Sequence, residues 1–250
     1  MTDAFSIQGR NDLAAFLRSS CLIAFDYDGT LVPITKHPDK AIFSSEIKEL
    51  VLRLRDRYPV SIVSGRSRAD LEMKTQLPLE MLIGNHGIEG PWLENSQRIE
   101  YKIQVSAWHK QLTQYLARSG DLENAWIENK EVSLSIHYRD VSEPRQTQKL
   151  LIEQLSQLIP QARYVLGKSV INVLPQDGCH KGQAIHLLLR QFGWANAIFV
   201  GDDVTDEDVF LLRSPNILGV HIGMPHSSAA QLYLSRQSKI KAFMELLLAL

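Results

Sequence analysis

Residues 21–30 have the sequence CLIAFDYDGT, an uninterrupted apolar run followed by two aspartates and a glycine. A short apolar run of this kind predicts a strand that is buried on both faces, and such strands are typical of parallel sheets. In open parallel sheets, ligands bind beyond the carboxyl ends of the strands. We therefore expect Asp26 and Asp28 to enter a ligand-binding crevice, where Gly29 lets backbone N–H groups approach a phosphate closely.

The sequence on either side of an interrupting segment alternates between strand and helix patterns. The predicted elements are a helix over 44–57, a strand over 60–63, a helix over 67–76, a strand over 81–84, and then a helix over 181–192, a strand over 197–200, a helix over 206–212 and a strand over 218–222. This alternation predicts parallel β-α-β units with right-handed crossovers. The predicted fold class is therefore α/β, with a doubly wound, Rossmann-like parallel-sheet core. We expect 218–222 to be its last strand and the apolar C-terminal residues to end a packed helix.

The segment between these two blocks has a different pattern. It predicts a strand over 98–104, a helix over 106–119, strands over 125–128 and 132–138, a helix over 143–159, and strands over 162–166 and 169–174. Apolar and polar residues alternate along 132–138, which predicts an antiparallel sheet with one open face. We therefore expect a smaller α+β cap domain, residues 96–174, inserted into a core formed by residues 1–95 and 175–250.

The overall charge excludes some classes of partner. The chain has 250 residues, with 27 Lys and Arg, 28 Asp and Glu, and a formal net charge of -1. A chain so nearly neutral has no general attraction for nucleic acid or for an anionic membrane surface. It also lacks a signal-peptide pattern and any apolar run of membrane-spanning length. We expect a cytoplasmic monomer with unpaired thiols at Cys21 and Cys179 and with neither nucleic-acid nor membrane partners.

A second acidic group follows another predicted strand directly, in Gly201-Asp-Asp-Val-Thr-Asp-Glu207. Acidic residues at a helix start are also ordinary caps. However, neighbouring like charges at one strand end repel each other unless a cation lies between them. Because both acidic groups are expected at one sheet edge, the crevice becomes an oxygen-rich site that suits Mg²⁺. The aspartates expected at this edge are Asp26, Asp28, Asp202 and Asp203.

Two further segments predict a phosphate site. Ser64-Gly65-Arg66 follows the strand over 60–63, and its hydroxyl and N–H groups can bind phosphate oxygens. Lys181 begins a predicted helix, and its ammonium can offset charge on a transferring phosphoryl group. The alternatives are a helix cap for the serine and a solvated charge for the lysine. The predicted phosphate-binding residues are Gly29, Ser64, Gly65 and Lys181.

These residue types predict a reaction. Phosphate monoesters are anionic, so a carboxylate nucleophile needs a cation to relieve the repulsion. Asp26 would attack phosphorus in line and form an aspartyl phosphate. Asp28 would donate a proton to the leaving oxygen and then accept one from the water that cleaves the aspartyl phosphate. The predicted catalytic residues are therefore Asp26, Asp28 and Lys181.

The motifs occur in the order found in the haloacid-dehalogenase-like phosphatases, which the chain resembles. Within that superfamily it is most similar to the trehalose-6-phosphate phosphatases, through DYDGTLVPI at 26–34, SGR at 64–66, GNHGIE at 84–89, HYR at 137–139 and GDDVTDE at 201–207. The resemblance implies that Mg²⁺ is bound by the Asp26 carboxylate, the backbone carbonyl of Asp28 and Asp202, with Asp203 and Asp206 close by. It also implies that a small-molecule sugar phosphate, trehalose 6-phosphate, is hydrolysed in trehalose biosynthesis.

The resemblance further implies that Glu128 and Lys130 of the cap bind the sugar. Asn85 and His86 lie at the end of a core strand, from which they can reach the substrate, and Arg139 holds either the phosphate or the cap hinge. The alternative for Glu128 and Lys130 is a surface charge pair. The alternative for His86 is a structural histidine. One position departs from the family, which usually has a glutamate where this chain has Asn172. Asparagine donates and accepts hydrogen bonds without a charge, so either the sugar contact is altered or another substrate is preferred.

Three other functions therefore stay open at the level of the sequence. The first is a phosphatase for another sugar phosphate, such as glucosylglycerol, sucrose or mannosylglycerate phosphate. The second is a catalytically silent sugar-phosphate sensor on the same fold. The third is a phosphomutase, which would return the phosphoryl group of Asp26 to a sugar rather than to water.

Overall fold

The computed structural model describes residues 1–35, 41–119, 122, 124–224 and 228–250. Its elements in chain order are β1 Thr2–Asp3, α1 Ile7–Leu17, β2 Cys21–Phe25, α2 Ser45–Arg55, β3 Val60–Val63, α3 Arg68–Thr75, β4 Leu82–Ile83, α4 Asn95–Arg118, β5 Trp126–Asn129, β6 Leu134–His137, α5 Pro144–Leu155, β7 Ala162–Gly167, β8 Val170–Pro175, α6 Lys181–Phe192, β9 Asn196–Gly201, α7 Glu207–Phe210, β10 Ile217–Ile222, β11 Leu232–Leu234 and α8 Ile240–Ala249.

These elements form two compact units. The core unit comprises Met1–Gly90 and Cys179–Leu250, and the cap unit comprises Pro91–Gly178. The predicted insert, 96–174, lies inside the cap unit, whose two ends extend a few residues further along the chain. A parallel-sheet core with flanking helices and a smaller α+β unit confirms the predicted fold class.

The core unit contains a seven-stranded sheet in the order β1-β11-β10-β9-β2-β3-β4. Every pairing between neighbouring strands is parallel. Strand β2 is apolar throughout and fully buried, as the run at 21–25 predicts. It lies between β9 and β3, so three consecutive strand ends of this part of the sheet carry the segments that begin at Asp26, Asp202 and Ser64. This order is what assembles the site.

Helix α2 shows why the flanking helices form where they do. Its N-cap, Ser44, accepts a hydrogen bond from the backbone N–H of Ile47, which satisfies one of the free donors of the first turn. The residues Ile47, Leu50, Val51 and Leu54 recur at helical spacing and are buried. They belong to one apolar cluster with β2, β3 and residues of α8. Full burial of each such side chain contributes about 1.5–3 kcal/mol.

The sequence-based expectation for the last core strand is wrong. Strand β11, Leu232–Leu234, follows β10 and pairs with it, and β1 adds a further strand to the same edge. Both are very short, which removes most of the periodicity from which a strand is recognised. Helix α8 is buried through Phe243, Met244 and Leu247, which confirms the expected packed C-terminal helix.

The cap unit contains an antiparallel sheet in the order β5-β6-β8-β7. Helices α4 and α5 pack on one face of this sheet. Their shared apolar cluster includes Val105, Trp108, Leu112, Leu134, Ile136, Leu151, Leu155, Ile171 and Val173. The opposite face carries the polar residues of the predicted alternation, among them Ser135 and His137.

The predicted strand over 98–104 is also wrong, because these residues belong to α4. Ile99, Tyr101, Ile103 and Val105 alternate as they would in a strand, and β-branched and aromatic residues favour that interpretation. In the structure Tyr101, Val105 and Trp108 are buried at helical spacing, whereas Ile99 and Ile103 are 61% and 66% exposed. Burial of the helical stripe therefore overrides the local strand pattern.

Two simpler expectations can also be compared with the structure. Cys21 is buried and Cys179 is half-buried, and neither forms a disulfide bond among the described residues. Among the described residues, none of the helices combines the length and the apolarity that crossing a bilayer requires.

Candidate active site

The site begins where β2 and β9 end side by side. Phe25 of β2 is in register with Val200 of β9, and the Asp26 N–H donates to the Val200 carbonyl at 2.8 Å. The next residues of the two strands therefore leave the sheet together. One carboxylate oxygen from each of Asp26, Asp202 and Asp206 lies within 4.8 Å of the other two. Such a group of oxygens fits a hard divalent cation such as Mg²⁺.

Lys181 balances part of this negative charge. Its Nζ donates to Asp26 Oδ1 at 2.8 Å and to Asp206 Oδ1 at 2.7 Å, and its side chain is only 2% exposed. Burial alone lowers the pKa of Lys181, but the charges of Asp206 and Asp26 and their hydrogen bonds outweigh this and raise it. The ammonium therefore stays protonated. The predicted alternative of a solvated surface charge is wrong.

Three carboxylates and one ammonium leave the group with a surplus of negative charge. Burial raises the pKa of Asp26 well above its ordinary value; Lys181 acts against this rise, and the charges of Asp206 and Asp202 add to it. The anionic form of Asp26 is thus disfavoured until the surplus is neutralised. A divalent cation bound to these oxygens would neutralise it, and so the residues present fit Mg²⁺.

Asp206 has both of its oxygens occupied by protein donors. Oδ1 accepts from Lys181, and Oδ2 accepts from the backbone N–H groups of Asp202 and Asp203 at 2.8 and 2.9 Å. A Cβ on Gly201 would collide with the Asp206 carboxyl group, so the glycine makes room for it. Asp206 therefore holds the loop after β9 in place. Asp203, also a predicted metal residue, is not part of the acidic group found among the described residues.

Gly29 brings the first acidic loop against the second. Its φ of 86° lies in the left-handed region, and a Cβ there would overlap the carboxylate of Asp202. The neighbouring Thr30 hydroxyl lies 3.5 Å from Asp202 Oδ1. Only glycine satisfies both requirements, the backbone conformation and the absence of a side chain.

Asp28 points to a different partner. Its Oδ2 and Oδ1 accept from Nε and Nη2 of Arg66 at 2.6 and 2.7 Å. The Asp28 carboxylate is therefore not a member of the acidic group, which is compatible with the implied metal contact through its backbone carbonyl. Sequence reasoning used Ser64 and Gly65 of the Ser-Gly-Arg string and missed Arg66 as a partner of Asp28. The sequence could have indicated this pairing, because Arg66 follows β3, the strand adjacent to β2.

Ser64 and Gly65 lie at the end of β3, as predicted. Ser64 is buried, its hydroxyl accepts from the Arg66 N–H at 3.2 Å, and its carbonyl accepts from the His86 N–H at 2.8 Å. The imidazole of His86 packs directly against Gly65. A Cβ on Gly65 would lie only 2.5 Å from His86 Cε1, so a larger residue would displace the ring. The structure thus brings the predicted residues Ser64, Gly65 and His86 together.

Residues 84–89 form a strained turn beside this loop. Asn85, His86 and Gly87 have φ values of 48°, 59° and 114°, all in the left-handed region. For a residue other than glycine this costs on the order of 1–3 kcal/mol. Glu89 offsets the strain, since its Oε2 accepts from Asn85 Nδ2 and from the Arg68 N–H, each at 2.7 Å. Asn85 is completely buried, and its side-chain amide stabilises the turn.

The predicted sugar-binding residues of the cap unit lie on the sheet face opposite its helices. Glu128 is in register with Ser135, and Ser135 with Asn172, so the three polar side chains form a row across β5, β6 and β8. Glu128 Oε2 lies 2.8 Å from His137 Nε2 and 3.8 Å from Lys130 Nζ.

Asn172 has a defined partner in this row. Its Oδ1 accepts from the Ser135 hydroxyl at 2.7 Å. Next to the row, the Trp126 indole stacks on His137 with centroids 4.1 Å apart. Sequence reasoning did not select Trp126, Ser135 or His137, although the alternation along 132–138 places the last two on this face. Arg139 is exposed, and its Nη2 donates to the Lys168 carbonyl at 3.3 Å.

Comparison with known proteins identifies the family. The family model described as trehalose-phosphatase matches residues 24–243, which include both acidic loops, Ser64 and Lys181. The chain belongs to the trehalose-phosphatase family. This membership confirms the predicted resemblance and the prediction of a phosphatase enzyme.

Similar proteins agree with this membership. The trehalose-phosphatase chain is 30% identical over 260 residues to trehalose 6-phosphate phosphatase RA3 of Zea mays, covering 93% of the chain and 71% of the relative. It is 31% identical over 241 residues to probable trehalose-phosphate phosphatase D of Arabidopsis thaliana, covering 88% and 65%. The chain thus spans about two thirds of the length of these plant relatives.

A solved structure shares the fold. The C-terminal domain of C. albicans trehalose-6-phosphate phosphatase superimposes with a TM-score of 0.78 at 23% identity, covering 100% of this trehalose-phosphatase chain and 99% of that one. At this identity the likeness concerns the fold alone.

Proposed function

We propose that the chain hydrolyses trehalose 6-phosphate to trehalose and phosphate, that it requires Mg²⁺, and that the reaction passes through an aspartyl phosphate on Asp26. Family membership supports the substrate. The observation that carries the mechanism is the buried group of Asp26, Asp202 and Asp206 with Lys181 bound across two of its members. Bound Mg²⁺ would supply charge neutralisation for the carboxylates and for the phosphoryl oxygens.

Asp26 is suited to act as the nucleophile. Its Oδ1 is fixed by Lys181, and no residue that the structure describes donates a hydrogen bond to its Oδ2. One oxygen is thus oriented and the other is available for attack. Asp26 forms a bond to phosphorus while the bond from phosphorus to the sugar oxygen breaks, and Lys181 offsets charge beside the transferring group.

Asp28 acts as the acid and then as the base. It gives its proton to the departing sugar oxygen, which leaves as a neutral hydroxyl group. A water molecule then attacks the phosphorus of the aspartyl phosphate, and Asp28 accepts a proton from that water. Phosphate departs and the Asp26 carboxylate is restored. Each Asp28 oxygen accepts one hydrogen bond from Arg66 in the structure and keeps a second lone pair, so Asp28 can carry the proton while Arg66 still holds it.

The test is phosphate release from trehalose 6-phosphate by the wild-type protein, in Mg²⁺ and in EDTA. We expect turnover in Mg²⁺, background release in EDTA, and background release from Asp26→Asn. The matched control is Asp12→Asn, because Asp12 lies on helix α1 and pairs with Gln8 at 2.7 Å. Normal turnover by Asp26→Asn would rule out the aspartyl phosphate, and undiminished release in EDTA would rule out the metal requirement.

The substrate is tested separately from the mechanism. Asn172 carries no charge and its Oδ1 is engaged by Ser135, so the sugar contact differs from one made by a carboxylate. We therefore include glucosylglycerol, sucrose and mannosylglycerate phosphates and compare kcat/KM. A clear preference for one of these would replace trehalose 6-phosphate as the substrate. Binding without phosphate release would favour a sensor, and transfer of the phosphoryl group back to sugar would favour a phosphomutase.

The expected cytoplasmic location, the monomeric state and the absence of nucleic-acid and membrane partners stay predictions.

A further inference from the structure

Arg66 bridges two carboxylates in the core unit. Its Nε and Nη2 atoms donate to the two oxygens of Asp28 at 2.6 and 2.7 Å, and its Nη1 donates to Asp70 Oδ2 at 2.7 Å. A guanidinium that meets both oxygens of a carboxylate fixes the plane of that carboxylate as well as its position. A lysine ammonium is a point charge and cannot do so. The orientation of Asp28 is therefore set by the Arg66 side chain.

Arg66 is itself held firmly. Its backbone N–H donates to Ser64 Oγ at 3.2 Å, and its carbonyl accepts from the Asn85 N–H at 2.7 Å. The guanidinium carbon lies 5.2 Å from the centre of the Tyr27 ring, within cation–π range. The side chain is only 10% exposed. Arg66 is thus a rigid support for Asp28, of the kind that holds functional groups in a productive geometry.

Asp70 anchors the far side of the guanidinium. It lies in the first turn of α3, where its N–H donates to the N-cap hydroxyl of Ser67 at 3.2 Å. Lys74, one turn further along α3, lies 4.0 Å from the other Asp70 oxygen. Asp28, Arg66, Asp70 and Lys74 thus form a line of alternating charges that runs from the helix to the acidic loop.

We propose that Arg66 is a positioning residue for the phosphatase reaction, which orients the Asp28 carboxyl group for proton exchange with the leaving oxygen while Asp70 holds Arg66. This inference rests on the acid–base role proposed for Asp28. Arg66 acts through Asp28, so its loss should slow the chemical step and leave substrate binding largely unchanged.

The first test is Arg66→Lys, which keeps the charge and removes the planar fork. We expect kcat for trehalose 6-phosphate to fall about 10- to 100-fold, because a poorly oriented catalytic group loses rate on this scale, while KM stays within about threefold. Asp70→Asn keeps Arg66 and weakens its anchor, so it should lower kcat by a smaller factor. The matched control is Arg55→Lys, whose arginine forms an exposed ion pair with Glu80, and it should keep wild-type kcat and KM.

The second test is a double-mutant cycle between Arg66→Lys and Asp28→Asn. If Arg66 acts through Asp28, then the double variant should be no slower than Asp28→Asn alone. Losses that multiply would show that Arg66 acts independently of Asp28 and would overturn the proposal. Thermal unfolding of all the variants checks that they are folded. Should Arg66→Lys be unfolded, Asp70→Asn is combined with Asp28→Asn in the same cycle.

The third test uses the leaving group. A p-nitrophenolate ion departs without being protonated, so kcat/KM for p-nitrophenyl phosphate depends little on an acid at the leaving oxygen. We expect Arg66→Lys and Asp28→Asn to lose much less kcat/KM with this ester than with trehalose 6-phosphate. A general distortion of the site would lower both values equally and would contradict the proposal.

These outcomes separate the two proposals. If the wild-type protein releases no phosphate from any of the sugar phosphates, or if Asp26→Asn remains active, then the proposed function fails. If the wild-type protein and Asp26→Asn behave as expected but Arg66→Lys matches Arg55→Lys, then only the role of Arg66 fails.

Discussion

A single added methyl group at Gly29 should weaken the proposed binding of Mg²⁺ while leaving the fold intact. Gly29 has a φ of 86°, and a Cβ built on it would lie closer than 3.0 Å to both carboxylate oxygens of Asp202. Ordinary van der Waals contact begins at 3.4 Å. In Gly29→Ala, the Asp202 carboxylate must therefore retreat by about 1 Å, a displacement that can cost on the order of 100-fold in rate at a catalytic site.

The chain contains a matched control for the backbone strain. Gly193, which ends helix α6, has a φ of 68°, and a Cβ added there meets no neighbouring atom within 4 Å among the described residues. Both alanine variants should therefore lose about 1–2 kcal/mol from left-handed backbone strain. For a chain of this size, each kcal/mol lowers Tm by about 2–4 °C. Only Gly29→Ala should also move Asp202.

Calorimetric unfolding in Mg²⁺ and in EDTA separates the two effects. A ligand that binds the folded state raises its stability in proportion to the logarithm of its affinity. We expect the wild-type protein and Gly193→Ala to gain the same stability from Mg²⁺. Gly29→Ala should gain less, by about 1.4 kcal/mol for each tenfold loss of affinity, and its kcat/KM should fall about 100-fold.

One result would refute this reasoning. If Gly29→Ala gains as much stability from Mg²⁺ as Gly193→Ala and also keeps its activity, then the contact between Gly29 and Asp202 does not determine the metal site. Equal losses of Tm in EDTA together with unequal gains in Mg²⁺ are the expected pattern.

Three further predictions follow from charge and burial. Lys181→Met leaves the carboxylates of Asp26 and Asp206 buried without their ammonium partner, so unfolding in EDTA should show a loss of about 3–5 kcal/mol, and Mg²⁺ should restore part of it. Because burial raises the pKa of Asp26, a proton competes with Mg²⁺ at that oxygen. Calorimetric affinity for Mg²⁺ should therefore still rise with pH where an ordinary aspartate is already ionised, and level off above the raised pKa; a constant affinity would contradict this. Burial also raises the pKa of Cys21 to about 12, so a thiol reagent should label Cys179 first, and mass spectrometry of the peptides would show the opposite order if this is wrong.

The sequence predicts the core best where a strand is apolar from end to end. Strand β2 could be predicted because burial on both faces leaves one unbroken apolar run. Strands β1 and β11, at one edge of the same sheet, have only two and three residues. These segments are too short to show the alternation of apolar and polar residues by which a strand is recognised. The failure at residues 98–104 is different, because the local pattern there fits a strand. The helix forms there because Val105 and Trp108 pack into the apolar cluster of the cap unit, and that packing is not a local property.

The sequence also predicts which residues gather at the sheet edge, but not how they pair. The order of parallel strands brings Asp26, Asp202 and Ser64 to consecutive strand ends, and each of them follows a recognisable apolar run. The pairing of Arg66 with Asp28 joins residues 38 positions apart. It depends on how two loops meet, so a motif that contains Ser64 and Arg66 does not reveal which of them contacts the acid.

Three aspartates that look alike in the sequence differ in the structure by the N–H donors that each of them meets. Asp206 accepts from Lys181 and from two backbone N–H groups, so it holds the loop after β9 in place beside the other acidic residues. Asp28 is engaged at both oxygens by Arg66, which keeps its side chain out of the acidic group. Asp26 keeps one oxygen without a donor among the described residues. In the proposed mechanism the nucleophile needs an accessible lone pair, whereas the proton donor needs a fixed orientation. The N–H donors around Asp26 and Asp28 give each of these aspartates the property that its proposed task requires.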